Sequence, residues 1–142
     1  MRILGIDQGE TRVGVAISDP RGSIAVPIGV YPRNGTGDPQ GIASLARGES
    51  VELIVVGLPL SLDGSIGPQA RRAQRFGLAV QTFSGLPVVF WDERFSTQRA
   101  TRVMIESGAS RKRRRHTADA TAATIILQEY LDCQPKTPDC NA

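Results

Sequence analysis

A chain of 142 residues with 40% hydrophobic and 22% charged side chains fits one folded domain with a core of its own. No apolar run approaches the roughly 18 residues a membrane-spanning helix needs, and Met1–Asp7 meets an acid too soon for a secretory leader, so a cytoplasmic protein is expected. The net charge is +3, and fifteen of the seventeen cations are Arg, which grips phosphate in a bidentate fork; a GC-rich coding bias accounts for the same excess.

Residues 2–7 form a nearly continuous apolar strand, Gln8 to Thr11 a turn, and Val13 to Ser18 a second strand. Asp19-Pro20-Arg21-Gly22 has the residues of a type I turn, and Ser23 to Tyr31 follows as a third strand. Tight turns between these strands predict an antiparallel meander. Pro32 to Pro39 is a Gly- and Pro-rich loop, and Gln40 to Arg47 reads as a short helix. Glu52 to Leu58 is the most apolar strand, and Leu60 to Gly64 is a loop.

A longer helix is expected from Ser65, with Pro68 in its first turn and a buried stripe of Ile66, Ala70, Ala73, Phe76, Val80 and Phe83. Arg71, Arg72 and Arg75 lie off that stripe. Leu86 to Trp91 is a fifth strand, and Ser96 to Ser107 a helix with a Ser N-cap, ended by Gly108. Arg111 to Arg115 reads as a basic loop, and Thr117 as the cap of a last helix running to about Leu131. The domain is thus residues 1–132, followed by a flexible tail over 133–142 that holds Cys133 and Cys140, to which no role is assigned. The expected architecture is α/β: a five-stranded mixed sheet, three antiparallel strands and then parallel ones, with right-handed crossovers placing helices on both faces.

Three acidic positions end or open these elements. Asp7 closes the first strand; it is either a turn residue bonding the Gly9 or Glu10 amide, or a group at the carboxyl end of a central strand, where open sheets place their chemistry. Asp92 and Glu93 end the fifth strand; side chains alternate, so one of the two shares the side of Asp7, and the local pattern leaves both open. Asp119 precedes Ala122, Ala123, Ile126 and Tyr130 by 3, 4, 7 and 11 residues, which puts it on their apolar face. A favourable contact with the helix dipole explains an acid in the first turn but not its place on that face. Three carboxylates from separate elements suit one or two Mg2+ or Mn2+ ions, and a two-ion site clamps the attacking and leaving oxygens of a phosphodiester. The single histidine, His116, leaves little room for His-based chemistry.

These residues resemble a known family. Ile6-Asp7-Gln8-Gly9-Glu10-Thr11-Arg12-Val13-Gly14-Val15-Ala16-Ile17-Ser18-Asp19 is similar to the opening signature of the YqgF/RuvX family. Val55-Val56-Gly57-Leu58-Pro59-Leu60 with Asp63-Gly64 resembles its second block, Asp92-Glu93-Arg94-Phe95-Ser96-Thr97 its third, and residues 117–131 its last. Four blocks in order, over residues 1 to about 132, make the resemblance specific; Phe95-Ser96 departs from the usual Leu-Thr without removing an acid. The resemblance implies a ribonuclease H-like fold and a nuclease. Members are described as 5′-end processing nucleases of pre-16S ribosomal RNA and as Holliday junction resolvases. It also implies that the acidic site falls on Asp7, the Asp92–Glu93 pair and Asp119, with Glu93 preferred within the pair.

The expected partner is nucleic acid: structured RNA, or branched DNA, bound by a monomer or homodimer with no membrane. Arg12 and Arg94 flank the acids and are either scissile-phosphate contacts or structural ion pairs. Arg111, Lys112, Arg113, Arg114 and Arg115 lie just before Asp119, as a substrate-binding run or a solvated one. With aromatics at 5%, no base-stacking row is present, so recognition by backbone and shape is expected. Two other readings stand beside this one. Gly5-Ile6-Asp7-Gln8-Gly9 with Thr11 also resembles the first phosphate loop of actin-like ATPases and sugar kinases, whose second lobe this length cannot supply. The other is a non-catalytic nucleic-acid-binding module.

Overall fold

The computed structural model describes residues 1–92 and 111–134, with only the backbone described over 111–121. Strand β1 (Ile3–Gln8) pairs antiparallel with β2 (Arg12–Ser18), and β2 with β3 (Ala25–Pro32). Strand β4 (Leu53–Leu58) lies parallel to β1 on its other side, and β5 (Val88–Asp92) parallel to β4. The sheet order is β3-β2-β1-β4-β5, so β1 is central.

Two crossover helices, α1 (Pro39–Gly48) and α2 (Pro68–Ser84), cover one face. Their starts follow from local chemistry. The Asp38 carboxylate accepts from the Gly41 amide at 2.7 Å and Pro39 opens α1. Gly67 caps α2 by backbone alone and Pro68 opens it. Helix α3 (Arg111–Cys133) covers the other face.

Alternation along the strands sorts the core into two layers. Leu4, Ile6, Val13, Val15, Ile54 and Val56 pack with Ile42, Ala46, Ala73, Phe76 and Val80 of α1 and α2. Ile3, Ala16 and Val55 pack with Ala123, Ile126, Leu127 and Leu131 of α3. Each fully buried aliphatic side chain contributes about 1.5–3 kcal/mol, which makes these two layers the main adhesive of the fold. Trp91 joins the α3 layer, its ring edge-on to Tyr130 at a centroid distance of 5.7 Å.

Several boundaries differ from the sequence reading. Helix α2 starts at Pro68 rather than Ser65, because Gly67 in an extended conformation ends the preceding loop. Ile66 and Phe83 are 45% and 46% exposed, so neither belongs to the buried stripe: one precedes the helix, the other lies in its last turn. Strand β3 starts at Ala25 because the Ser23 and Ile24 amides are bound by the Asp19 carboxylate, at 2.7 and 3.0 Å. Arg111 to Arg115 are not a loop; they are helical and open α3, so Thr117 is inside that helix rather than its cap. The helix expected over Ser96–Ser107, with its Gly108 stop, lies outside the described residues, as do Pro135 and Cys140 of the tail.

Candidate active site

The candidate site lies at the carboxyl end of β1, the edge of an open sheet where crossovers leave a crevice. Residues Ile3 and Gly5 face α3, while Leu4 and Ile6 face α1 and α2. Asp7 therefore continues the α3 side of β1. The β1–β2 turn is closed by the Gly9 amide donating to the Arg12 carbonyl at 2.8 Å, so the turn does not take its Gly9 hydrogen bond from Asp7. A Cβ at Gly9 would stand 2.9 Å from that carbonyl oxygen, so this position is restricted to glycine.

Helix α3 runs antiparallel to β1. Gln128 holds the start of β3, accepting from the Ala25 amide at 2.9 Å and donating to the Ser23 carbonyl at 3.1 Å. Leu131 sits with Ile3 in the same layer, and Leu127 lies over Gly5: a Gly5 Cβ would stand 2.7 Å from the Leu127 Cβ and 3.2 Å from the Ala123 carbonyl oxygen. From that level, four residues back along α3 are about 6 Å of helix rise, and two residues forward along β1 are about 6.6 Å in the same direction, which sets Ala123 beside Asp7. Asp119 stands one helical turn beyond Ala123, toward the carboxyl end of β1. Asp119 lies in the helix by its backbone, and its side chain is outside the described residues.

The Asp92–Glu93 pair divides by the same alternation. Phe90 packs with the α1–α2 layer and Trp91 with the α3 layer, so Asp92 returns to the side away from Asp7. Asp92 is exposed, opposite Leu58 in the ladder. Glu93 and Arg94 lie outside the described residues. Among the described residues no three His, Cys, Asp or Glu side chains come together as a metal site; Asp7 is the one member of the expected trio whose side chain is described. The donor chemistry fits a hard divalent ion: carboxylates only, with no thiol or imidazole in the set.

Arg12 shares the Asp7 side. Asp7 pairs with Gly14, and Arg12 lies two residues along β2 from Gly14, making it a diagonal neighbour within reach of a long side chain. Arg111 to Arg115 occupy the first turns of α3, beyond Asp119 and beyond the carboxyl edge of the sheet.

Beside Asp7 lies a cleft of about 170 Å³ whose walls include Gln8, Glu10, Pro59, Gln69 and Arg72. Arg72 Nη2 is 3.5 Å from Glu10 Oε1, with the side chains 34% and 73% exposed, so the pair contributes at most about 1 kcal/mol. Gln8 Nε2 is buried and meets no hydrogen-bond acceptor among the described residues. The sequence reading set Arg72 off the apolar stripe but gave Gln8, Gln69 and Arg72 no place in the site. Only the parallel β1–β4 pairing brings the start of α2 against the end of β1.

Comparisons with known proteins give the family and the fold. A family model described as RuvX, Holliday junction resolvase, matches residues 1–133. A protein of Syntrophomonas wolfei that bears the name pre-16S rRNA nuclease is 46% identical over 133 residues, covering 93% of this chain and 94% of its own. A Moorella thermoacetica protein with the same name is 47% identical over 133 residues, covering 93% and 95%. Among solved structures, Thermus thermophilus RuvC in complex with a Holliday junction substrate superposes with a TM-score of 0.58 at 15% identity, over 92% of this chain and 94% of that one. A second Thermus thermophilus RuvC structure gives 0.55 at 16% identity over 93% and 97%. At that identity the likeness is one of fold, the ribonuclease H-like fold of RuvC.

Proposed function

The chain belongs to the RuvX family and is a hydrolase of phosphodiester bonds, and from that premise we propose that it is a divalent-metal-dependent nuclease that processes the 5′ end of pre-16S ribosomal RNA in the cytoplasm. The observation that supports the catalytic reading is that Asp7 faces α3 and that α3 carries Asp119 to the same end of the sheet, one helical turn past the level of Asp7. The choice of RNA is supported by the name that the relatives at 46% and 47% identity bear.

In this reading Asp7, Glu93 and Asp119 hold Mg2+ or Mn2+ with carboxylate oxygen. The strand alternation that turns Asp92 away supports Glu93 over its neighbour. A divalent ion held by these carboxylates would activate water for attack and offset the charge on the leaving oxygen. The chain's own cations do the rest. Arg12, on the Asp7 side, takes the non-bridging oxygens of the scissile phosphate in a bidentate fork, and Arg94 holds the phosphate next to it. Arg111, Lys112, Arg113, Arg114 and Arg115 engage further phosphates beyond the sheet edge. Five cations at a helix N-terminus oppose the helix dipole, an arrangement that a polyanion relieves. One chain carries a full set of acids, so a monomer suffices for RNA; a junction, with two symmetric cuts, calls for a homodimer.

The test is a cleavage panel with purified wild-type protein and Asp7→Asn in Mg2+ or Mn2+. The substrates are an RNA carrying the 16S 5′ leader, an unrelated structured RNA, single-stranded RNA and DNA, and a four-way DNA junction. We expect wild type to cut the leader RNA and Asp7→Asn to bind without cutting. Preferential cutting of the junction would replace the rRNA assignment with junction resolution. Equal cleavage by both proteins would overturn the site itself.

A further inference from the structure

A second groove, of about 220 Å³, adjoins the cleft beside Asp7 and shares Arg72 with it. Its polar wall is three arginines: Arg33 just past β3, and Arg72 and Arg75 on α2; Pro39, Phe76 and Ala79 complete it. The Arg33 guanidinium is held in place, its Nη1 donating to the Glu10 carbonyl at 3.1 Å while its amide donates to the Thr11 carbonyl at 2.9 Å. Arg72 and Arg75 are three residues apart on one helix and so neighbours on its surface. Among the described residues the one carboxylate ion-paired to this trio is Glu10, on Arg72. The groove therefore carries excess positive charge.

Gln8 adds a separate observation. Its buried Nε2 lacks an acceptor among the described residues, and the side chain lines the cleft that joins this groove to Asp7. A buried donor left unmet costs about 1–3 kcal/mol, and a turn of the Gln8 side chain into the cleft it lines would bring that donor to an anionic oxygen there. We propose that Gln8, Arg72, Arg75 and Arg33 form a track for the phosphate backbone of the nucleic-acid strand that enters or leaves the Asp7 site, on the side of the sheet opposite α3. The proposal rests on the nuclease reading for what it serves, not for the charge that forms it. Phe76 is 4% exposed and offers no ring to a base, so the track reads backbone and not sequence. The exposed Glu10–Arg72 pair is weak enough to open for a phosphate.

The experiment measures anisotropy of labelled oligouridines of about 6 to 24 nucleotides, and of oligothymidines of equal length, on the full chain carrying Asp7→Asn. A parallel protein adds Arg33→Gln, Arg72→Gln and Arg75→Gln; a control adds Arg21→Gln and Arg47→Gln. We expect the triple variant to lose about 10- to 100-fold in affinity for the longer strands, with the loss growing with length, and the slope of log K against log salt to fall by about 2. Arg75→Gln alone, which breaks no ion pair among the described residues, is expected to lose about 3-fold or more. Equal losses for RNA and DNA mark the phosphate as the ligand, and a loss confined to RNA marks the ribose as a further contact; both support the track. The track is overturned if the triple variant and its parent share affinity and salt slope, if the control loses as much, or if polyglutamate displaces the strand as well as unlabelled oligouridine does. Cleavage by wild type with loss in Asp7→Asn is scored separately, so the nuclease reading and the track fail independently.

Discussion

Gly5 of β1 and Leu127 of α3 approach so closely that a Cβ on Gly5 would lie 2.7 Å from the Leu127 Cβ. Neither backbone has room to yield, since β1 is bonded on both sides and Leu127 is fully buried. This contact sets the height of α3 above the sheet, and with it the separation of Asp7 from Asp119. Gly5→Ala is expected to destabilise the fold by about 1–3 kcal/mol and to lower nuclease activity by more than the unfolded fraction accounts for. Urea unfolding alongside cleavage of the 16S leader RNA checks both; unchanged values in both assays would mean that α3 is not held by this contact.

Gln128 fixes the same helix along its length. Its amide bonds both the Ala25 N–H and the Ser23 carbonyl, and reaches the Asp132 carboxylate at 3.0 Å. Ala25 is buried, so Gln128→Ala leaves its amide unmet and is expected to cost about 1–3 kcal/mol by chemical denaturation. Gln128→Glu, which keeps an acceptor for Ala25 but loses the donor to Ser23, should fall between.

Asp19 gives the fold a pH signature. The Ile24 amide, then the Ser23 amide and hydroxyl, hydrogen-bond its carboxylate and lower its pKa from 3.8 to about 2. A depressed folded-state value means the unfolded chain takes up the proton first as pH falls. The contribution of Asp19 is therefore complete above about pH 4 and is lost between there and about pH 2. NMR titration of the Asp19 carboxyl carbon should give a midpoint near 2, and the stability gap between wild type and Asp19→Asn should close over that window. A midpoint near 3.8 would contradict the turn geometry.

The cationic opening of α3 predicts effects of opposite sign on stability and binding. Lys112→Gln with Arg113→Gln removes two charges that oppose the helix dipole, so the free protein should gain about 0.3–1 kcal/mol per charge at low ionic strength. The same variant should bind oligouridine more weakly, with a shallower salt slope. Loss of stability in the free protein would contradict the helical placement of these residues.

Much of the fold was legible in the chain, and the candidate site in part. Apolar runs stopping at Asp7 and Asp92 marked the central strand β1 and the strand β5 beside β4, and the spacing from Ala123 and Ile126, which are buried against the sheet, is what proposes a face for Asp119. Arg111 to Arg115 misled because five cations carry no apolar period, although Arg and Lys are good helix formers. Ile66 misled because helical spacing persists past the start of a helix, and Phe83 because the last turn of α2 keeps the spacing while its side chain is exposed. Gln8 and the Arg33–Arg72–Arg75 groove were beyond a linear reading; they meet only after β1, β3 and α2 are brought together by pairing.

The most direct test of the site is the affinity of the protein for Mn2+, measured by calorimetry on wild type and on Asp7→Asn, Glu93→Gln, Asp119→Asn and Asp92→Asn. Loss of a carboxylate ligand should weaken binding at least about tenfold in the first three variants, while Asp92→Asn, on the far side of the sheet, binds as wild type does. Wild-type affinity in both Asp7→Asn and Asp119→Asn would contradict a metal site built between β1 and α3.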